Sequence, residues 1–462
     1  MSIPQRCTPT LEDLRQFYVG KDIHQVPKPA LVLDRAKMRR HCESLSKAAD
    51  ALGVGFRAHI KTHKTVEGTR LQAGETRNPV KLVASTIAEI EHLLPLLNEF
   101  KQQGRQFNVL YGIPLPLSQV TRLAEIGRKL GKDTLSVLVD HAAQLDHVAR
   151  FFDEANFPVG VYLKVDTGYH RAGLPPAGLN KDNLISRAMD LEAEGKTELI
   201  GLYSHSSLSY NDSTPDKAME NLEGEINGCL EALHENSHLF SQDKAITISV
   251  GASPQVTAIE NLVGTDGGLT PSAESLRNTM NKVTASRPGG FQTNLELHAG
   301  VYSILDIQQL STHSRAKFGD YEDEIAISVV TEVCSVYNNG ERQQPEALAA
   351  VGVLGLGREP CAAYKGWGIV DRESFAATNQ PDHRLIVSRV SQEHSIITWD
   401  EVVAGDTGKH ILPIPLQVGQ SIRILPNHAC ITGALYGWYL VTDSDGEDPN
   451  RVVDVWVRAS GW

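Results

Sequence analysis

The segment Arg57-Ala58-His59-Ile60-Lys61-Thr62-His63-Lys64-Thr65 follows a short apolar run, Val54 to Phe56. It reads as a β-strand ending in two lysines and two histidines. Barrels place their chemistry at strand ends, and open α/β sheets do the same. Lysine forms Schiff bases with carbonyl compounds, and does so best when burial or nearby cations lower its pKa. Arg57, His59, His63 and Lys64 supply that setting for Lys61 in sequence. A basic strand edge facing solvent would carry the same residues, so the rest of the chain must decide.

Outward from this segment the pattern alternates. Strand-like runs occupy residues 55–60, 81–85, 106–111, 134–140, 159–164, 199–204, 245–250 and 295–298, with helix-like stretches at 87–103, 117–130, 142–155, 185–193 and 217–235. Eight strands alternating with helices are the arithmetic of a (β/α)8 TIM-type barrel, usually about 250 residues long. An open doubly wound sheet is the competitor, but no G-x-G-x-x-G follows the first strand. Ahead of the barrel, residues 8–18 predict a short helix with Thr10 as N-cap and Asp13 at the capping-box position. Pro27-Lys28-Pro29 breaks the chain, Ala30–Asp34 reads as a strand, and Met38, Cys42, Leu45, Ala48 and Leu52 mark one face of a helix over 35–52. Residues 258–292, rich in Gly, Ser, Thr and Asn, form a long excursion with one helix expected at 272–283. Beyond residue 300 helical periodicity disappears. Short β-type runs at 326–336, 348–354, 383–390, 396–399, 421–425, 435–441 and 452–458 predict a second, mainly antiparallel domain. The expected division is 35–298 for the barrel and 1–34 plus 299–462 for the β domain.

Composition bounds the function. The chain has 462 residues, 41% hydrophobic and 22% charged, with 44 Lys and Arg against 56 Asp and Glu. A net charge of −12 argues against nucleic acid or an anionic membrane surface as the main partner. No apolar run approaches the roughly 18 residues of a membrane helix, and Met1 to Asp13 lacks the apolar core of a signal peptide. Six widely spaced cysteines do not form a disulfide framework in a chain this long. These features fit a reducing, cytoplasmic setting.

Five groups fall at predicted barrel strand ends: Lys61; Lys164-Val165-Asp166-Thr167-Gly168-Tyr169-His170-Arg171-Ala172-Gly173; Tyr203-Ser204-His205 with Ser209-Tyr210; Gly251-Ala252-Ser253-Pro254; and His298-Ala299-Gly300-Val301-Tyr302. Gly251-Ala252-Ser253 suits a phosphate, because small residues let backbone N–H groups approach an anion and serine adds a hydroxyl. An ordinary turn before proline has the same composition. Late in the chain, Pro426-Asn427-His428-Ala429-Cys430 places His and Cys two apart, on one face if the segment is extended. Imidazole with thiolate favours zinc over magnesium or calcium, while a buried His beside a buried Cys reads alike. Cys334 and Cys361 are expected to be buried thiols.

Taken together, RAHIKTHKT around Lys61, KVDTGYHRAG, YSH…SY, VGASP and PNHAC resemble the fold-type III pyridoxal-phosphate (PLP) enzymes of the eukaryotic D-serine dehydratase and D-threonine aldolase family. The resemblance runs over roughly residues 25–460, and alanine racemases are more distant relatives sharing the barrel. It implies that Lys61 carries PLP, that Arg171, Tyr203 and Tyr210 lie at the cofactor, and that Gly251, Ala252 and Ser253 bind its phosphate. It implies zinc at His428 and Cys430, a strand Ala30–Asp34 pairing within the β domain, and a homodimer. The implied activity is a PLP- and zinc-dependent D-amino-acid lyase converting D-serine to pyruvate and ammonia. Retro-aldol cleavage to glycine and an aldehyde, or a PLP-binding relative without catalysis, are the alternatives. Cys430 favours the dehydratase, since the aldolases typically carry Asp there. Ser207, Leu208, Ala252, Ser395 and Val301 depart from the family pattern, and Leu208 and Val301 are expected to make the pocket more apolar, as for a bulkier β-hydroxy D-amino acid.

Overall fold

The computed structural model describes residues 9–76, 78–241, 244–264, 268–285, 292–375, 383–400 and 412–462. Cys7, and residues 265–267 and 286–291 of the expected excursion, lie outside the described residues. The chain divides into two compact units. One comprises Met1–Arg40, Ile304–Ser311 and Gly319–Arg458, the other His41–Ser303, Thr312–Phe318 and Ala459–Trp462. No helix of the described residues is long and apolar enough to cross a membrane.

Strands are numbered in chain order, β1 being Ala30–Asp34. The larger unit is a closed barrel of β2 (Gly55–His59), β3 (Val80–Ala84), β4 (Phe107–Pro114), β5 (Leu135–Val139), β6 (Val159–Lys164), β7 (Thr197–Tyr203), β8 (Ala245–Val250) and β9 (Gln292–Ala299). Every pairing is parallel, and β9 closes on β2 with Arg57 opposite His298. β5 and β6 are buried at every residue, as strands covered on both faces must be. The covering helices start where the sequence supplies caps: Thr86 accepts from the Glu89 N–H ahead of Ile87–Gln102, and Thr214 from Lys217 ahead of Pro215–Glu235, which carries proline in its first turn. Pro215–Glu235 buries Ala218, Met219, Leu222, Ile226 and Cys229 at helical spacing, with Glu225 on the same buried face. The helix expected at 272–283 spans Pro271–Ala285.

The smaller unit carries a nine-stranded sheet. Its strands are β1 with β10 (Ile327–Tyr337), β11 (Glu346–Ala349), β12 (Gly368–Val370), β13 (Leu385–Val390), β14 (Ser395–Trp399), β15 (Ser421–Pro426), β16 (Trp438–Thr442) and β17 (Asp454–Val457), in the order β11-β14-β13-β12-β15-β10-β1-β16-β17. β1 runs antiparallel to β10 and parallel to β16, so it joins this sheet as expected. The Thr10–Asp13 capping box also forms.

Three local expectations are corrected. The run 348–354 is not one strand, because β11 stops at Ala349 and Val353–Leu356 turns into a helix between Gly352 and Gly357. A Cβ on Gly352 would lie 2.2 Å from the Ser391 carbonyl, an approach only glycine permits. Cys430 sits not on an extended segment but in the helix Ala429–Ala434, with extended His428 as its N-cap. Cys334 is exposed, on the solvent side of β10, and Cys361 is half-buried in the connection ahead of β12.

Candidate active site

The barrel interior is held by charge. Arg57 turns inward from β2, is 1% exposed, and donates through Nε to Glu296 on β9 at 2.6 Å. Its other nitrogens donate to the Leu82 carbonyl, Asn108 and the Tyr162 hydroxyl. Lys81 adds a second cation to Glu296 at 2.8 Å. Burial alone would raise the Glu296 carboxyl, but Arg57 and Lys81 overcome it and hold it at about 2. Above this layer Ser249 bridges Glu296, at 2.9 Å, and His298 Nδ1, at 3.1 Å. The His298 ring stacks on Tyr203, centroids 4.2 Å apart, with His205 next at 5.6 Å.

Lys61 stands at this end, just past β2. Its backbone N–H donates to His59 Nδ1 at 3.3 Å, and a Cβ built on Gly300 would lie 3.6 Å from Lys61 Cε. The Gly300 N–H in turn donates to Ser253 Oγ at 3.2 Å, leaving the serine O–H to donate elsewhere. The amine and the small-residue turn therefore share one end of the barrel. Gly251, at φ +140°, accepts from His205 Nδ1 through its carbonyl at 2.6 Å, and a Cβ there would meet Val256 at 2.4 Å and the His298 carbonyl at 2.5 Å. The two other basic residues of the segment are engaged elsewhere. Lys64 pairs with Glu89 at 2.9 Å, and His63 is held by Thr65 and Gln72. Burial, then the charge of Lys61, keeps His59 and His205 far below the usual histidine range; burial dominates for His298 too.

Tyr203 is buried at the end of β7, while Tyr210 is half-buried in the turn Leu208–Asn211, which packs against Ser253–Thr257. Arg171 is exposed, its guanidinium 5.3 Å from the Tyr169 ring, on a loop whose Asp166 accepts from the Gly168 and His170 N–H groups. Val301 is buried and Leu208 is 42% exposed, so only the former adds apolar surface to the interior.

Sequence reasoning gave no role to Lys164, Glu225 or His298. Lys164 lies 4.9 Å above the Tyr203 ring, and burial, then Arg171, lowers it to about 8. Glu225 accepts from the Ser206 N–H at 2.7 Å and from Gln255 Nε2, tying the loop after β7 to the helix behind Ser253. The available signal was an acidic residue on the apolar stripe of a helix. Three buried side-chain atoms without a hydrogen-bond partner gather on these same elements: Ser209 Oγ, Gln255 Oε1 and His298 Nε2. An amine, a turn too tight for side chains, a free hydroxyl donor and orphaned polar atoms together fit a phosphorylated carbonyl cofactor of the PLP kind.

In the other unit, His428 and Cys430 join by a side-chain hydrogen bond, and Glu359 lies 3.9 Å from His428 Nδ1. Asn427 fixes the turn by donating to the Glu359 and Gly366 carbonyls, both at 2.8 Å, and Asp306 accepts from the Ala429 N–H at 2.8 Å. Among the described residues no group of three or more His, Cys, Asp or Glu side chains is arranged to hold a metal ion. The imidazole–thiolate pair nevertheless has the donor chemistry of a zinc site with open positions.

Comparison with known proteins agrees with this geometry. Residues 33–262 match the N-terminal domain of alanine racemase, and residues 326–442 match the serine dehydratase domain. The D-serine dehydratase of Schizosaccharomyces pombe is 34% identical over 98% of this chain and 96% of its own. The chain belongs to the D-serine dehydratase family. This family member is thus a lyase by kinship, with an alanine-racemase-like fold, that of a PLP enzyme family. The D-serine dehydratase of Saccharomyces cerevisiae is 28% identical, covering 98% of this chain and all of its own. Among solved structures, D-threo-3-hydroxyaspartate dehydratase from Delftia sp. HT23 superposes with a TM-score of 0.70 at 24% identity, over 96% of this chain and 100% of that one. A variant of that dehydratase has been solved in a metal-free form.

Proposed function

We propose that this enzyme is a PLP- and zinc-dependent D-serine dehydratase, forming pyruvate and ammonia from D-serine. The observation that carries the reading is that the Gly300 N–H donates to Ser253 Oγ while a Cβ on Gly300 would lie 3.6 Å from Lys61 Cε, which supports an amine able to capture a carbonyl beside a turn suited to an anion. PLP bound there would supply an electron sink for negative charge at the substrate Cα. Lys61 Nζ would hold the cofactor and take the α-proton. Gly251, Ala252 and Ser253 would bind the phosphate, with His205 fixing the Gly251 carbonyl. Tyr203 and Tyr210 would border the cofactor, and Arg171 would bring positive charge to its side. The three neutral histidines place no extra cation beside Lys61. Zinc held by His428 and Cys430 would supply Lewis-acid chemistry for a hydroxyl leaving group. Five cysteines outside any disulfide among the described residues support a cytoplasmic setting, and a homodimer completes the proposal.

A product assay with PLP and zinc, run on D-serine and on D-threonine with and without EDTA, tests it. Chelator-sensitive keto acid and ammonia from D-serine are expected. Glycine with an aldehyde would replace the dehydratase by an aldolase. Cofactor on Lys61 without product from either would leave a PLP-binding protein of another activity.

A further inference from the structure

His298 has its protons assigned by its neighbours. Glu296 receives Arg57 and Lys81 and is a carboxylate, so it offers no proton to Ser249. The Ser249 hydroxyl therefore donates to Glu296 and accepts from His298 at Nδ1. With its proton on Nδ1, the neutral imidazole carries a lone pair at Nε2. That atom is shut off from solvent and has no hydrogen-bond partner. Ring orientation is fixed as well, by the Tyr203 stack on its face and the Ser249 bond at its edge. Two residues further on, the Gly300 N–H donates to Ser253 Oγ, and a Cβ on Gly300 would lie 3.6 Å from Lys61 Cε. A buried lone pair of this kind costs free energy until a donor reaches it.

PLP linked to a lysine offers few groups to such an acceptor. Its phosphate and ring oxygen accept hydrogen bonds, and its imine N–H is engaged by the ring oxygen. The donor left over is the protonated ring nitrogen. We propose that His298 Nε2 accepts the ring N–H of the cofactor, and that the Arg57–Glu296–Ser249 relay exists to keep that lone pair in place. The inference rests on the PLP reading above. By holding the ring proton, His298 would keep the cofactor in its stronger electron-withdrawing form.

The test compares PLP with 1-deaza-PLP, in which a C–H replaces the ring nitrogen. Apo-enzyme is titrated with each, and Lys61 labelling is confirmed by borohydride reduction and peptide mass. Wild type is expected to bind PLP about tenfold tighter than the deaza compound, the worth of one buried hydrogen bond. His298→Phe should bring the two within about twofold, since one missing partner makes the other irrelevant. The ring resonance of 15N-PLP in the holoenzyme should move from its protonated to its unprotonated range in the same variant. Ser249→Ala, which frees the tautomer, should give an intermediate preference and serves if His298→Phe does not fold. Equal binding of both compounds by wild type, with Lys61 labelled by each, would overturn the role of His298 alone. Failure of PLP to label Lys61 would overturn the cofactor reading and this inference with it.

Discussion

Tyr203 and His298 lie face to face, their ring centroids 4.2 Å apart and their planes 7° from parallel, although they come from β7 and β9. Lys164 Nζ lies over the same Tyr203 ring, 4.9 Å from its centroid. The aromatic body, not the hydroxyl, makes these contacts. Tyr203→Phe should therefore cost under about 1.5 kcal/mol in urea unfolding, as a volume-conserving change does. Tyr203→Ala should cost about 3–5 kcal/mol by opening a cavity in the barrel. Equal costs for the two would mean that the hydroxyl dominates.

Lys61→Ala should abolish the borohydride-stable cofactor label and lower the lyase rate by about 10²–10⁴ or more, the range lost with a general base. Circular dichroism should stay at wild-type level, because Lys61 is half-buried at the barrel end rather than in its core. An unchanged rate would remove Lys61 from the mechanism.

Arg57 and Glu296 are each 1% exposed and meet at 2.6 Å. Arg57→Met leaves a buried carboxylate with Lys81 as its remaining cation, and should destabilise by about 3–5 kcal/mol in urea unfolding. Arg57→Met combined with Glu296→Leu should recover much of that loss, since an apolar pair carries no stranded charge. A double variant as unstable as the single one would contradict this account.

Burial pushes the Glu225 carboxyl up from 4.5 to about 7, against hydrogen bonds from Ser204, Ser206 and Gln255 and the charge of Lys164. Between those values the folded chain keeps a proton that the unfolded chain has shed, so the contribution of Glu225 to stability falls as pH rises from about 4.5 to about 7. The full term is about 3 kcal/mol. Lys164, lowered to about 8, acts at higher pH, while the buried neutral His59, His205 and His298 act in this window with the opposite sign, since the unfolded chain protonates them as pH falls. The change in urea midpoint from about pH 5 to about pH 7 should be more positive in Glu225→Gln than in wild type. An unaltered difference would assign the pH dependence to other groups.

His428→Ala and Cys430→Ser should each lower zinc per chain, measured by plasma mass spectrometry after dialysis, from near one to near zero. Barrel unfolding midpoints should stay unchanged, since neither residue belongs to the barrel unit. Full zinc occupancy in both variants would place the metal elsewhere.

The sequence-level reading reached the eight barrel strands because each is a short apolar run ending in polar or small residues, a local pattern. It reached Thr10–Asp13 for the same reason, since a capping box spans four residues. Val353–Leu356 escaped it, because there two glycines decide against the strand that the apolar residues suggest. Cys430 reads as part of an extended segment because His-x-Cys has no periodicity of its own, whereas the extended N-cap His428 starts a helix after it.

The amino-acid sequence alone determined the alternation that makes a barrel, the antiparallel second sheet and the short motifs around Lys61, Gly251 and His428, because those are properties of neighbouring residues. Only the tertiary structure decided that Arg57 meets Glu296, 239 positions away, since that contact exists only once β9 closes on β2. The proton on His298 follows from the same closure. A histidine's tautomer is set by the groups that face it, and those groups come from separate strands.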